Sequence, residues 1–159
     1  MMKFNLKVES EVSEKINDYV LSNQINSQHP LDVISESEAD PDRYPVAIYD
    51  EEERLIGFLC VHVGGWPEVF GYLSEKYAYI RSMSIDDRYQ GKGHGTQTVK
   101  QLLDFTKEKI DPDITTLVLA VNEKNLSAQK AYLNAGFERK PGTVPGRRGN
   151  LILMGLGKQ

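Results

Sequence analysis

Between Tyr89 and Gln97 the chain reads Gln90-Gly91-Lys92-Gly93-His94-Gly95-Thr96, with glycine at every second position. The segment before it, Tyr77 to Asp86, reads as a strand. The segment behind it, about Thr96 to Ile110, reads as a helix with Val99, Leu102, Leu103, Thr106 and Ile110 on one face. A glycine turn that opens a helix leaves several backbone N–H groups without an internal partner and aimed the same way. The helix dipole adds partial positive charge there. The chemistry this suits is anion binding, above all of phosphate or pyrophosphate. A Cβ at Gly93 or Gly95 would hold such a ligand off the backbone or forbid the φ angles the turn requires.

Three kinds of phosphate loop compete for this turn. The P-loop needs a lysine and then Ser or Thr directly after its last glycine, whereas Lys92 lies between glycines and Thr96 follows Gly95. The dinucleotide fingerprint needs glycines at positions one, three and six, whereas Gly91, Gly93 and Gly95 occupy one, three and five. The third pattern is Gln or Arg, two residues, Gly, one residue, then Gly or Ala, all after a strand. Gln90, Gly93 and Gly95 fit it. A second motif follows over Val121 to Phe137, as Asn125-x-x-Ala128-x-x-x-Tyr132-x-x-x-Gly136-Phe137. Asn125 is placed to cap a helix, since its side-chain oxygen can accept an orphan N–H of the first turn. Ala128, Ala131, Tyr132 and Ala135 share a helical face, and the small residues leave room for something to lie alongside. Gly136 stands where a C′ glycine ends a helix, and Phe137 starts a strand.

Together these two motifs resemble the acyl-CoA site of the GNAT superfamily of N-acetyltransferases, over roughly residues 44 to 157. The resemblance implies acetyl-CoA as co-substrate, no metal, and a small-molecule amine as acceptor. It implies that Met83 and Ile85, with Ser84 between them, present backbone to the pantetheine arm. Gln90, Gly91, Lys92, Gly93, His94, Gly95 and Thr96 would hold the pyrophosphate, with Lys92 either near a phosphate or solvated. Asn125 and Tyr132 would flank the thioester.

Acetyl transfer needs a neutral amine, a stabilised carbonyl oxygen and a protonated leaving thiolate. With a pKa near 10.4, about one amine in 10³ is neutral at pH 7, a cost of roughly 4–5 kcal/mol. Tyrosine, with a pKa near 10, can donate to a thiolate without being ionised itself. Tyr132 is therefore the expected general acid, and the N–H of Met83 the expected donor to the carbonyl. Several family members carry a glutamate base eleven residues before the loop's first Gln or Arg; here that position is Tyr79, a poor base at pH 7. A water chain, Glu75, Asp86 or His62 are the alternatives. Tyr77, Tyr79 and Arg81 share a strand face by period two, with Ser82 and Ser84 expected on the other. The proline often found ahead of the loop is replaced by Asp86-Asp87-Arg88-Tyr89.

The elements that position these residues follow from periodicity. Phe4, Leu6 and Val8 alternate as a strand over residues 3 to 9. Val12, Ile16, Tyr19 and Val20 give a helix over Glu11 to Asn23, and a short helix fits Leu31 to Ala39. Val46 to Tyr49 and Leu55 to Val63 form a hairpin about Asp50-Glu51-Glu52-Glu53. Ile114 to Val121 is continuously apolar and reads as a strand buried on both faces. Phe137 to Lys140 and Leu151 to Leu156 read as a last pair joined by a loop from Pro141 to Gly149. The strand-helix-strand unit forces one parallel, right-handed pair. The expected fold is α/β (α+β): a mixed, mostly antiparallel sheet of six to seven strands, a splayed parallel central pair and helices on both faces, in one domain over residues 1–159.

With 159 residues, 40% apolar and 26% charged, the chain is an ordinary globular one, and its net charge of −4 argues against nucleic acid. Lys3, Asn5 and Lys7 interrupt any apolar start, so no secretory signal or membrane span is expected and a cytoplasmic location follows. The lone Cys60 reads as a small core residue. Edge strands could pair in a homodimer. In the family the acceptor pocket is built from the first helical region, the loop after the third strand and the final hairpin. Glu36, Glu38, Asp40 and Asp42, with Trp66, Glu68, Phe70 and Tyr72, would suit a polyamine. Arg147 and Arg148 would suit an acceptor carboxylate or simply decorate a turn. A protein or peptide amine, and a non-catalytic acyl-CoA sensor, are the other readings.

Overall fold

A computed structural model describes residues 4–24, 27–63 and 76–157. Its strands are β1 Asn5–Val8, β2 Arg43–Tyr49, β3 Leu55–Val63, β4 Tyr77–Ile85, β5 Thr116–Asn122, β6 Glu138–Gly146 and β7 Gly149–Gly157. Its helices are α1 Glu14–Asn17, α2 Pro30–Glu38, α3 His94–Lys109 and α4 Leu126–Asn134. The strands form one seven-stranded sheet in the order β1-β2-β3-β4-β5-β7-β6, and only β4 and β5 run parallel. The expected mixed sheet with a parallel central pair is therefore present. No helix among the described residues is long and apolar enough to cross a membrane.

Alternation along the strands divides the core between the two faces of the sheet. On one face Val46, Ile48, Leu59, Val61, Ala78 and Ile80 meet Val99 and Leu102 of α3. On the other, Phe58 and Cys60 meet Ile16 of α1 and Val33 and Ile34 of α2. Thr116 to Leu119 of β5 are all buried, as a strand covered on both faces requires.

Three expectations are corrected. The helix over Glu11 to Asn23 is a single turn, Glu14–Asn17. Beyond Asp18 the backbone is captured by the end of β4 instead: Asp86 Oδ2 accepts from the N–H of Val20 at 2.9 Å, Asp87 Oδ2 from that of Ser22 at 3.0 Å, and the Asp87 N–H donates to Val20 O at 2.7 Å. Second, the Pro141–Gly149 connection is largely strand. β6 tolerates Pro141 and Pro145 because it is an edge, and its register slips between Arg139 and Thr143, leaving a two-residue turn at Arg147-Arg148.

Third, Ser84 does not lie opposite Tyr79 and Arg81. Ser82 has φ +54°, and the β3–β4 register shifts by one residue between Phe58↔Ser84 and Cys60↔Arg81. One extra residue in β4 forms a bulge there, and every later side chain changes face. Ser84 thus meets the Tyr19 hydroxyl at 2.8 Å on the α1–α2 side, while Ile85 turns to the α3 side against Gly57.

Candidate active site in the split between two parallel strands

β4 and β5 are in register only across Tyr77–Tyr79 and Thr116–Val118. Beyond these residues the strands part, and a cavity of about 430 Å³ opens between them. Its β4 wall is Ile80, Ser82 and Met83; its β5 wall runs from Leu119 to Asn122. Asn125, Ala128 and Tyr132 of α4 line it, and Gln24, Arg147 and Arg148 stand at its rim. At the foot of the split the Arg81 guanidinium lies 4.6 Å from the Tyr79 ring centroid.

Asn125 caps α4 through Oδ1, which accepts from the Ala128 N–H at 3.3 Å, and Gly136 ends the helix with φ +102°. The cap fixes the helix whose inner face carries Ala128 and Tyr132. The Tyr132 ring rests on Phe137, with centroids 5.7 Å apart. Burial, reinforced by nearby Tyr79, pushes its hydroxyl up to about 12. The phenol is therefore protonated at neutral pH, the state a proton donor needs.

At the start of α3, Gly91 and Gly93 both have φ +77°, and N-cap Gly93 leaves the helix without a side-chain cap. The first-turn N–H groups are thus available to an anion. A Cβ built at Gly91, Gly93 or Gly95 meets nothing within 4 Å, so open space lies in front of the turn. This cradle fits the pyrophosphate of an acyl-CoA. Gln90 braces it, donating from Nε2 to Ile85 O at 2.9 Å and to Asp87 Oδ1 at 3.2 Å. Lys92 is exposed and Thr96 half-buried. The His94 ring is buried, edge-on to Phe4 with centroids 5.3 Å apart. Because Gly95 is helical and unobstructed, Gly95→Ala is expected to keep or raise stability, by up to about 1 kcal/mol. The same change should weaken acetyl-CoA binding about tenfold. Melting curves with and without coenzyme A read both effects.

The structure brings Met83, Asn125 and Tyr132 to one cavity and sets Gln90 to Thr96 at the start of α3, outside that lining; Ser84 faces away toward Tyr19. Two of the suggested bases are already engaged. Burial pushes the Asp86 carboxyl upward, but bonds from Arg88 and Val20 outweigh this and leave it below the usual carboxylate range. His62 Nδ1 accepts from Arg81 Nε at 3.0 Å while its Nε2 faces Asp40 at 3.5 Å; burial, and then Arg81, lowers its pKa. Glu75 and the loop bearing Trp66, Glu68, Phe70 and Tyr72 lie outside the described residues.

Periodicity did not reveal the polar circuit on the α2 side. Ser82 donates to Gln28, Gln28 to Glu36, and Arg43 joins Glu36 at 2.9 Å to Asp40 at 3.3 Å. Asp40, His62 and Arg81 close it back onto β4. Its residues come from α2, the segments flanking that helix, β2, β3 and β4, so no local spacing announces it. The pairing of Glu36 and Asp40 with arginine leaves less of the acidic stretch free for an external cation.

The family model described as "Acetyltransferase (GNAT) family" matches residues 13–137. An uncharacterized N-acetyltransferase of Bacillus subtilis (strain 168), YbbJ, is 28% identical over 109 residues, which cover 68% of this chain and 66% of that protein. The spermine/spermidine N(1)-acetyltransferase of the same organism is 29% identical over 121 residues, 76% of each chain. Among solved structures, AAC(6')-Ib in complex with ribostamycin and coenzyme A aligns at a TM-score of 0.61 and 25% identity, over 79% of this chain and 73% of that one.

Proposed function

The chain belongs to the acetyltransferase (GNAT) family of acyl-CoA-dependent N-acetyltransferases, and from that premise we propose that it moves an acetyl group from acetyl-CoA to the primary amine of a small molecule by direct attack. The observation that carries this reading is the parting of β4 from β5 beyond Tyr79 and Val118, with Tyr132 beside the gap; the uncapped glycine turn that opens α3 supports it.

Acetyl-CoA, when bound, supplies a thioester whose C–S bond breaks as the amine's N–C bond forms. Gln90 to Thr96 would hold its pyrophosphate, and the backbone of Met83 and Ile85 its pantetheine arm. The Met83 N–H is the donor proposed for the carbonyl oxygen as charge develops there. Tyr132 Oη holds the proton for the departing sulfur. The amine must attack in its neutral form, and the cationic Arg147 and Arg148 at the cleft disfavour the ammonium there.

The test is acetyl-CoA-dependent thiol release with spermidine, spermine, aminoglycosides, amino acids and short peptides as acceptors. Release with at least one amine class is the expected result. Coenzyme A binding with no release from any of them would favour a sensor over an enzyme.

A further inference from the structure

The cleft is charged in a way that does not suit a polycation. Arg147 and Arg148 are the only charged side chains among the described residues that line it, and no carboxylate does. Neither guanidinium has an ion-pair partner among the described residues. The two arginines form the tip of the β6–β7 hairpin, which is tied to the end of β5: Asn122 Nδ2 donates to Arg148 O, and the Glu123 N–H to Asn150 O, each at 3.0 Å. Their backbone is thus held at the rim of the cavity that Tyr132 lines. Meanwhile Glu36 and Asp40, two of the four carboxylates in the acidic stretch from Glu36 to Asp42, are matched by Arg43. None of Gln90 to Thr96 lines this cavity, so the arginines lie apart from the anion cradle at α3.

We propose that Arg147 and Arg148 recognise an anionic group on the acceptor. The substrate class is then an amine that also carries a carboxylate or phosphate, not an all-cationic polyamine. Guanidinium groups match the planar oxygens of such anions with paired hydrogen bonds, and two of them at one rim supply both charge and direction. The inference rests on the transferase reading above. The same oxygen chemistry is present in the phosphates of coenzyme A, so the test must separate the two sources.

Two measurements do so on the intact protein. The first compares kcat/KM for amino acids with their carboxamides and with spermidine, in wild type and in the double variants Arg147→Gln/Arg148→Gln and Arg147→Lys/Arg148→Lys. The second is the affinity of each protein for coenzyme A and for dephospho-coenzyme A. Wild type is expected to favour the carboxylate over the carboxamide by about tenfold or more. The glutamine pair should erase that preference through KM, the lysine pair should keep part of it, and coenzyme A affinity should hold. Spermidine outperforming every anionic amine would overturn the inference and leave the transferase reading standing. A glutamine pair that loses coenzyme A affinity with acceptor preference unchanged would also overturn it, by assigning the arginines to the nucleotide. Silence with every amine would sink the transferase reading, and this inference with it.

Discussion

Tyr132→Phe is expected to lower turnover about 10- to 100-fold while acetyl-CoA affinity stays within a factor of about two, because a positioned acid contributes to the transition state and not to ground-state binding. Phenylalanine keeps the ring against Phe137 and removes only the hydroxyl, so the loss reports the proton and not the packing. The pH dependence has a definite sign. The proton-bearing phenol is the active form, and its pKa is pushed up to about 12, so rising pH should not switch off the wild-type enzyme through Tyr132 anywhere in the neutral or mildly alkaline range. Activity should instead rise with pH as the amine is deprotonated. Steady-state rates with the best acceptor from the panel, together with calorimetric binding of coenzyme A, check this. Unchanged turnover would remove Tyr132 from the chemistry, and a parallel loss of affinity would make it a binding residue.

Asp86→Ala should cost about 3 kcal/mol of folding stability, the largest single loss expected outside the apolar core. The Asp86 side chain is fully buried, and its two oxygens accept from the Val20 N–H at 2.9 Å, the Arg88 N–H at 2.9 Å, and Arg88 Nε and Nη2 at 2.9 and 2.7 Å. Removing the carboxylate leaves those donors unmatched and frees the segment from Val20 to Ser22 from the end of β4. Because the folded-state pKa is depressed, the stabilisation is present above the unfolded value of about 3.9 and lost as pH falls through the lower folded value. Urea titrations should show a wild-type advantage that is flat from pH 7 to about pH 5 and shrinks below about pH 4. An advantage that persists undiminished at pH 2 would mean that packing, not charge, holds the segment from Val20 to Ser22.

What could be read along the chain was local. The glycine turn, the cap at Asn125 and the stop at Gly136 each involve residues within a few positions of one another; the cap and the stop stand as expected, while α3 opens at His94 and takes Gly95 and Thr96 into its first turn. What escaped depends on contacts distant in sequence. The first helix stops after one turn because carboxylates at positions 86 and 87 claim its next N–H groups across more than sixty residues. β4 reads as one strand of fixed parity, yet the bulge at Ser82 makes it two stretches of opposite parity, which period-two reasoning cannot detect. That bulge is also what sends Ser84 to the α1–α2 side while Met83 lines the cleft. The acidic stretch looked available to a ligand because its partner Arg43 and the distant His62 are not recognisable as partners from spacing.

The brevity of the β4–β5 pairing has a consequence for cohesion. Four strands lie on one side of that junction and three on the other, and in the sheet itself only three registered pairs, from Tyr77↔Thr116 to Tyr79↔Val118, bridge them. The sheet is thus two halves paired along a short seam, with the cleft as the unzipped remainder. Regions with few ladder bonds open at lower free energy than the rest of a fold. A ligand seated in the gap with contacts to both walls would act as a strut between the halves. Its binding free energy would count directly toward keeping them together, so the protein's resistance to unfolding would rise and fall with the supply of its own acyl donor.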